Sequence, residues 1–258
     1  MSPRLFLKLL QDDQWAFRKE LFGALSMFFG SVVVSIIAVL IAAPVALGSA
    51  VYASEYVSGK KRAVVKLLIE TLASIPSVVY GLLGVLYLRD WVFSITRYLG
   101  AASGDSLLTA SLLLALMILP TFMTLSDDAL RCVPLSYRTA ARSVGLTKTY
   151  SIFVSTLPFA RKGILGAAFL SLGRAFGETI AVFLVVGRSD IPFNKEFFSL
   201  NTLVNAGQTI TSKLGGAEIS IAYGTPIHWG ALLSLGVLLW VAVSAFSALH
   251  LYLIRSDS

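Results

Sequence analysis

Five stretches of this chain, at residues 24–50, 64–88, 107–125, 164–187 and 229–254, are long and apolar enough to cross a bilayer. A hydrocarbon core about 30 Å thick takes roughly 20 residues of α-helix, which satisfies its own backbone hydrogen bonds and leaves its side chains to lipid. Apolar residues run all round each of these helices rather than along one stripe. A membrane barrel would need segments of about ten residues with alternating hydrophobicity, and nothing here alternates for that long. The composition agrees, with 56% hydrophobic and 14% charged residues, against about 25% charged in a soluble domain. The chain reads as all-α, a polytopic membrane helical bundle. No polar linker divides it, so residues 21–258 form one transmembrane domain behind an N-terminal segment, 1–20, that is either interfacial or disordered. That segment is no secretory signal, because Gln11-Asp12-Asp13 follows its short apolar run. With Phe6, Leu9, Leu10 and Trp15 it suits a helix lying on the membrane surface.

The net charge of +7 does not make this a nucleic-acid-binding protein, because the basic residues cluster in the connections between apolar runs, where they report topology. Lys60, Lys61, Arg62 and Lys66 fill the first connection, and Arg131, Arg138, Arg142, Lys148, Arg161 and Lys162 the third. Both are therefore cytoplasmic. Arg89 and Arg97 then fall outside, with Arg188, Lys195 and Lys213 on the last external loop. An odd number of spans places Arg4, Lys8, Arg18 and Lys19 outside as well, against the rule. The chain is a multi-pass protein of a cell (inner, cytoplasmic) membrane.

Within the spans, Pro44, Pro76 and Pro120 interrupt the helix, and Gly173 and Gly177 have the spacing that lets two helices touch. The sharpest signal is Arg174 and Glu178, four residues apart in the fourth run and so on one face of a continuous helix. Charges at such depth are costly, pair with one another and face a cavity. Two readings stay open. The pair neutralises itself and fixes packing, or it serves a transported ion, Arg offering a planar fork that fits an oxyanion.

The cytoplasmic connection 127–163 is too long to be an idle loop. Residues 135–144 favour a helix, Gly145 suits the left-handed residue that ends it, and Thr147 or Thr149 can cap a second helix reaching Leu157-Pro158. Such a projecting helix–turn–helix suits docking to a cytoplasmic partner. Asp127-Asp128 reads as the solvated end of the third span, and His228 and His250 as interfacial residues rather than metal ligands. The single cysteine, Cys132, excludes a disulfide framework. There is no phosphate-binding G-x-x-x-x-G-K-[ST] loop and no nucleophile–base set, so this chain is not catalytic alone.

Thr139-Ala140-Ala141-x-x-x-Gly145, followed by Leu157-Pro158, resembles the E-A-A-x-x-x-G coupling motif of ABC importer permeases, with Thr139 where the family often has Glu. Ile75-Pro76-Ser77-Val78-Val79-Tyr80-Gly81 and Gly173-Arg174-Ala175-Phe176-Gly177-Glu178-Thr179 are similar to segments of the phosphate-specific (PstC/PstA) branch, the second closer to PstC. The resemblance implies a membrane permease of an ATP-driven phosphate importer working by alternating access. Ala140, Ala141, Gly145, Leu157 and Pro158 would then couple to an ATPase, and Arg174, Glu178, Thr179, Ser77 and Ser74 would line the path. It also implies a second, PstA-like permease, two ATPase subunits that hold ATP and Mg, and a soluble phosphate-binding protein, with no cofactor or metal in this chain. The family has a further span before the stretch near Leu21, which would account for the misplaced N-terminal charges. The alternatives are a permease for another oxyanion (molybdate, sulfate or phosphonate) and a non-transporting membrane scaffold or sensor.

Overall fold

The computed structural model describes residues 15–16, 21–189, 199–216 and 218–255. Five of its helices are long and apolar enough to cross a membrane. They are α1 (Leu25–Glu55), α3 (Ser77–Leu99), α4 (Leu107–Arg131), α6 (Lys148–Gly177) and α11 (Pro226–Arg255). Helix α4 is central: α1 lies along one side of it and α6 along another, and α11 packs on α6.

A ridge of small residues explains the α1–α4 contact. Val34, Ala38, Ala42, Ala46 and Ala50 recur every fourth residue, so they lie on one face, and all are buried. Across from them stand Leu107, Ala110, Leu114 and Ile118 at one end, and Phe122, Met123 and Leu130 at the other. Lipid tails are as apolar as these side chains, so close van der Waals packing, rather than escape from water, holds the helices together. Gly173 and Gly177 do the same between α6 and α11, where a Cβ on Gly173 would sit 3.3 Å from Phe246 Cβ.

The second apolar run, 64–88, does not form one span. Its first half belongs to α2 (Gly59–Ala73), which has no buried residue, and the crossing helix begins only at Ser77. Pro76 causes the break, because it has no N–H to give and pushes Ile75 out of the helical region. Beyond the break, Gly81 of α3 lets a short helix, α7 (Ile180–Val185), approach closely. A Cβ there would lie 2.6 Å from Leu184 Cδ1.

The cytoplasmic helix beyond Gly145 also differs from expectation. Thr147 caps it as the residues suggested, its side chain accepting from Tyr150 N–H, but it runs through Leu157-Pro158 into the fourth span as one helix of 30 residues. Pro158 cannot donate to Val154, and a π-helical turn over Ile152–Thr156 absorbs the mismatch.

At the opposite end, β1 (Trp15–Ala16) pairs antiparallel with β2 (Leu21–Phe22). Trp15 is therefore not on a membrane-surface helix; residues 1–14 and 17–20 lie outside the described part. Short helices α8 (Leu200–Val204), α9 (Ile210–Leu214) and α10 (Glu218–Ala222) complete this end. Helix α9 is anchored to α1 by Ile210 N–H donating to Ser31 Oγ at 3.0 Å.

Candidate translocation path and coupling surface

Arg174 and Glu178 are not a pair on one helix face. Helix α6 stops at Gly177, and Glu178 takes an extended conformation (φ −71°, ψ 123°) before the chain re-enters a helix at Ile180. The break turns the two side chains to different partners. Arg174 Nη1 donates to Thr121 Oγ1 at 2.9 Å, whereas Glu178 Oε1 accepts from Ala181 N–H at 3.4 Å, at the start of α7. Among the described residues no carboxylate neutralises Arg174. Its side chain is exposed on the isolated chain although, in the last turn of α6, it stands level with Thr121 near the middle of the apolar α4. A guanidinium kept there is tolerated only where it meets water, an anion or another protein surface.

Thr121 went unnoticed in the sequence, although a hydroxyl directly after Pro120 in an apolar run was the signal. Pro120 takes away one helical hydrogen bond at this height of α4, and Thr124 Oγ1 donates to Pro120 O at 2.9 Å. The other expected path residues lie apart from this contact. Thr179 is half-buried, with Oγ1 donating to Gly177 O at 3.3 Å. Ser77 starts α3 and is half-buried, while Ser74 is exposed and donates to Thr71 O at 2.8 Å. Ser74 thus satisfies its own helix end.

The coupling segment is built as its residues suggest. Helix α5 (Leu135–Ser143) carries Ala140 and Ala141, has no buried residue, and ends at Gly145, whose φ of +82° is a left-handed conformation that favours glycine. Leu135 and Val144 are 77% and 75% exposed, an apolar surface at both ends of a basic helix. Behind it, Leu157 packs into the core with Phe122 and Leu130, and Tyr137 meets the Phe159 ring at 4.7 Å. Pro158 is exposed at the π-helical turn.

Two partly buried ion pairs lie behind this segment, one holding α5 to α1 and the other joining α2 to α4, and neither was visible in the sequence. Arg138 of α5 pairs with Glu55 at the end of α1 and donates through Nη2 to Leu130 O at 2.7 Å. Arg62 of α2 reaches Asp127 Oδ2 at 2.5 Å and Ala53 O at 2.7 Å. Asp127 is therefore not a solvated terminus. Lys148 donates to Glu55 O and lies over the Tyr56 ring. The basic connections thus converge on the ends of α1 and α4, as expected of one cytoplasmic face.

At the external end, Lys213 of the last external loop is buried, and His228 is buried rather than interfacial, both bound to Glu218. Lys213 Nζ stands 3.1 Å from Oε1 and His228 Nε2 2.8 Å from Oε2, and Trp15 Nε1 donates to Oε2 at 3.2 Å. Burial of Glu218 works against its charge, but Lys213 and the Trp15 and His228 hydrogen bonds outweigh it and hold its carboxyl below the usual value. His250 lies at the other end of α11, its Nδ1 3.0 Å from where a Cβ of Gly166 would be.

The fold defines a class of protein. The chain superposes on the inward-facing MetNI methionine ABC transporter with a TM-score of 0.59 at 16% identity, covering 87% of this chain and 93% of that one. On an amino acid ABC transporter crystallised with histidines the TM-score is 0.56 at 18% identity, covering 89% and 92%. This is the helical bundle seen in these ABC transporters.

The particular family follows from sequence. Residues 42–256 match the family of binding-protein-dependent transport system inner membrane components, and the chain belongs to it. It is similar to the "Phosphate transport system permease protein PstC" of Mycobacterium leprae, at 32% identity over 85% of this chain and 71% of that protein. The protein of that name from Mesorhizobium japonicum is 30% identical over 96% and 79%. The "Probable ABC transporter permease protein YqgH" of Bacillus subtilis is 34% identical over 90% and 72%.

Proposed function

We propose that this chain is one of two permease subunits of an ATP-driven phosphate importer in the cytoplasmic membrane. The observation that carries the reading is Arg174. Its guanidinium is exposed beside the middle of α4, held by the neutral hydroxyl of Thr121 and compensated by no carboxylate among the described residues. A planar fork of donors in a low-dielectric setting suits a tetrahedral oxyanion, and the charge is an electrostatic well that a passing anion can enter and leave. The face that carries Arg174 is covered by a second, PstA-like permease, so the path runs between the two chains.

On the cytoplasmic side, α5 enters a groove on one of two ATPase subunits, Leu135 and Val144 meeting apolar surface and Arg142 acidic surface. ATP and Mg are held by those subunits. Because Arg138 ties the docking segment to Glu55 at the end of α1 and to Leu130 O near the end of α4, closure of the ATPases moves whole helices and opens the path outward. Release of the ATPases returns it inward. Glu178, Thr179 and Ser77 line the same path less directly, through the break between α6 and α7 and the start of α3. An external phosphate-binding protein delivers the substrate.

The likeness to PstC proteins favours phosphate over other oxyanions. The test is reconstitution of the complex in proteoliposomes with ATP inside and labelled phosphate, sulfate or molybdate outside. ATP-dependent accumulation of phosphate alone is expected. Accumulation of another anion instead would reassign the substrate, and no uptake of any would return the chain to a scaffold or sensor role.

A further inference from the structure

Arg188 is the non-glycine residue with a left-handed backbone among the described residues, at φ 57°. A long side chain is costly in that region, so such a residue persists only when its surroundings impose it. The surroundings here do impose it. Gly207 N–H donates to Val186 O at 2.9 Å and Ser189 N–H to Gly207 O at 3.1 Å, clamping the backbone on both sides. Ordinary packing does not explain the side chain, which is exposed and makes no hydrogen bond or ion pair to the described residues. Its guanidinium lies over the ring of Phe183, 4.7 Å from the centroid. Stacking fixes the plane of the fork while leaving its N–H edges open.

Phe183 stands one helical turn beyond Thr179 on α7, and the backbone of Gly215 and Gly216 lies against both. A Cβ on Gly215 would be 3.0 Å from Thr179 Cγ2, and one on Gly216 would be 3.4 Å from Phe183 Cε2. Arg188, Phe183 and Thr179 therefore form a column from the external surface down to the helix break beside Glu178. We propose that Arg188 is the outer anion-receiving residue of the path, its fork taking two oxygens of a tetrahedral oxyanion as the binding protein releases it. The inference rests on the oxyanion-importer reading above and adds the site of entry.

The test uses the reconstituted complex with inorganic phosphate as probe, comparing wild type with Arg188→Gly and Arg188→Lys. Arg188→Gly removes the charge and also relieves the backbone, so its unfolding temperature should equal or exceed that of wild type. Its uptake, with saturating binding protein at low salt, should still fall about fivefold or more, and the deficit should shrink as salt screens the field. Arg188→Lys should recover part of the rate. Wild-type uptake by Arg188→Gly would overturn the inference. So would a changed half-saturating concentration of binding protein at an unchanged maximal rate, which would assign Arg188 to protein docking. If wild type itself accumulates no oxyanion, the importer reading fails and this inference with it; loss confined to the variant concerns Arg188 alone.

Discussion

Replacing Thr121 by valine removes one hydroxyl and almost no volume, so it isolates the contact that positions Arg174. Hydrogen bonds to a charged group contribute about 1.5–3 kcal/mol when shielded. Arg174 is exposed on this chain, and its 2.9 Å contact belongs to the lower part of that range or below, about 1 kcal/mol. If the bond holds the guanidinium where the anion passes, its loss raises the translocation barrier by that amount, and the rate falls about fivefold. The assay is phosphate uptake at saturating binding protein, with ATPase activity read in parallel. Thr121→Val should slow uptake while binding-protein-stimulated ATPase activity persists, and Thr121→Ser should restore the rate. Equal uptake in Thr121→Val and wild type, or a serine variant as slow as the valine one, would refute the positioning role.

Two further outcomes test the ends of the bundle. Glu55→Ala leaves Arg138, whose own side chain is 16% exposed, without its carboxylate partner. It should lower stability by about 3 kcal/mol, seen as a lower unfolding temperature and weaker co-purification with the ATPase. Glu218 has a folded-state value below its unfolded one of 4.5, so its charge contributes stability that is complete above that pH and lost as pH falls through the folded value. Unfolding temperatures between pH 3 and 7 should drop on the acid side, and Glu218→Gln should flatten that part of the curve.

Much of the architecture was legible because lipid imposes length and apolarity on a span, and three of the five apolar runs became crossing helices near the expected places, with 64–88 and 164–187 offset. The run 64–88 shows what composition misses: hydrophobicity continues through Pro76, but backbone geometry does not. The same holds for Arg174 and Glu178. Their four-residue spacing implied a shared face, yet Gly177 and the extended Glu178 end the helix between them. The coupling segment was readable from Gly145 and Thr147, because turn and cap chemistry is local. What holds that segment was not, since Arg138–Glu55 joins residues 83 positions apart, and only the fold brings them together. Lys213 and His228 show the converse, residues typical of an interface buried by a hairpin that no alternation announced.

The central claim is that Arg174 stands at mid-membrane because an anion passes it. The most direct measurement is ATP-dependent phosphate uptake by the complex carrying Arg174→Ala, after confirming that permeases and ATPases still co-purify. The account predicts an assembled complex with uptake at background. Normal accumulation through that assembled complex would contradict it.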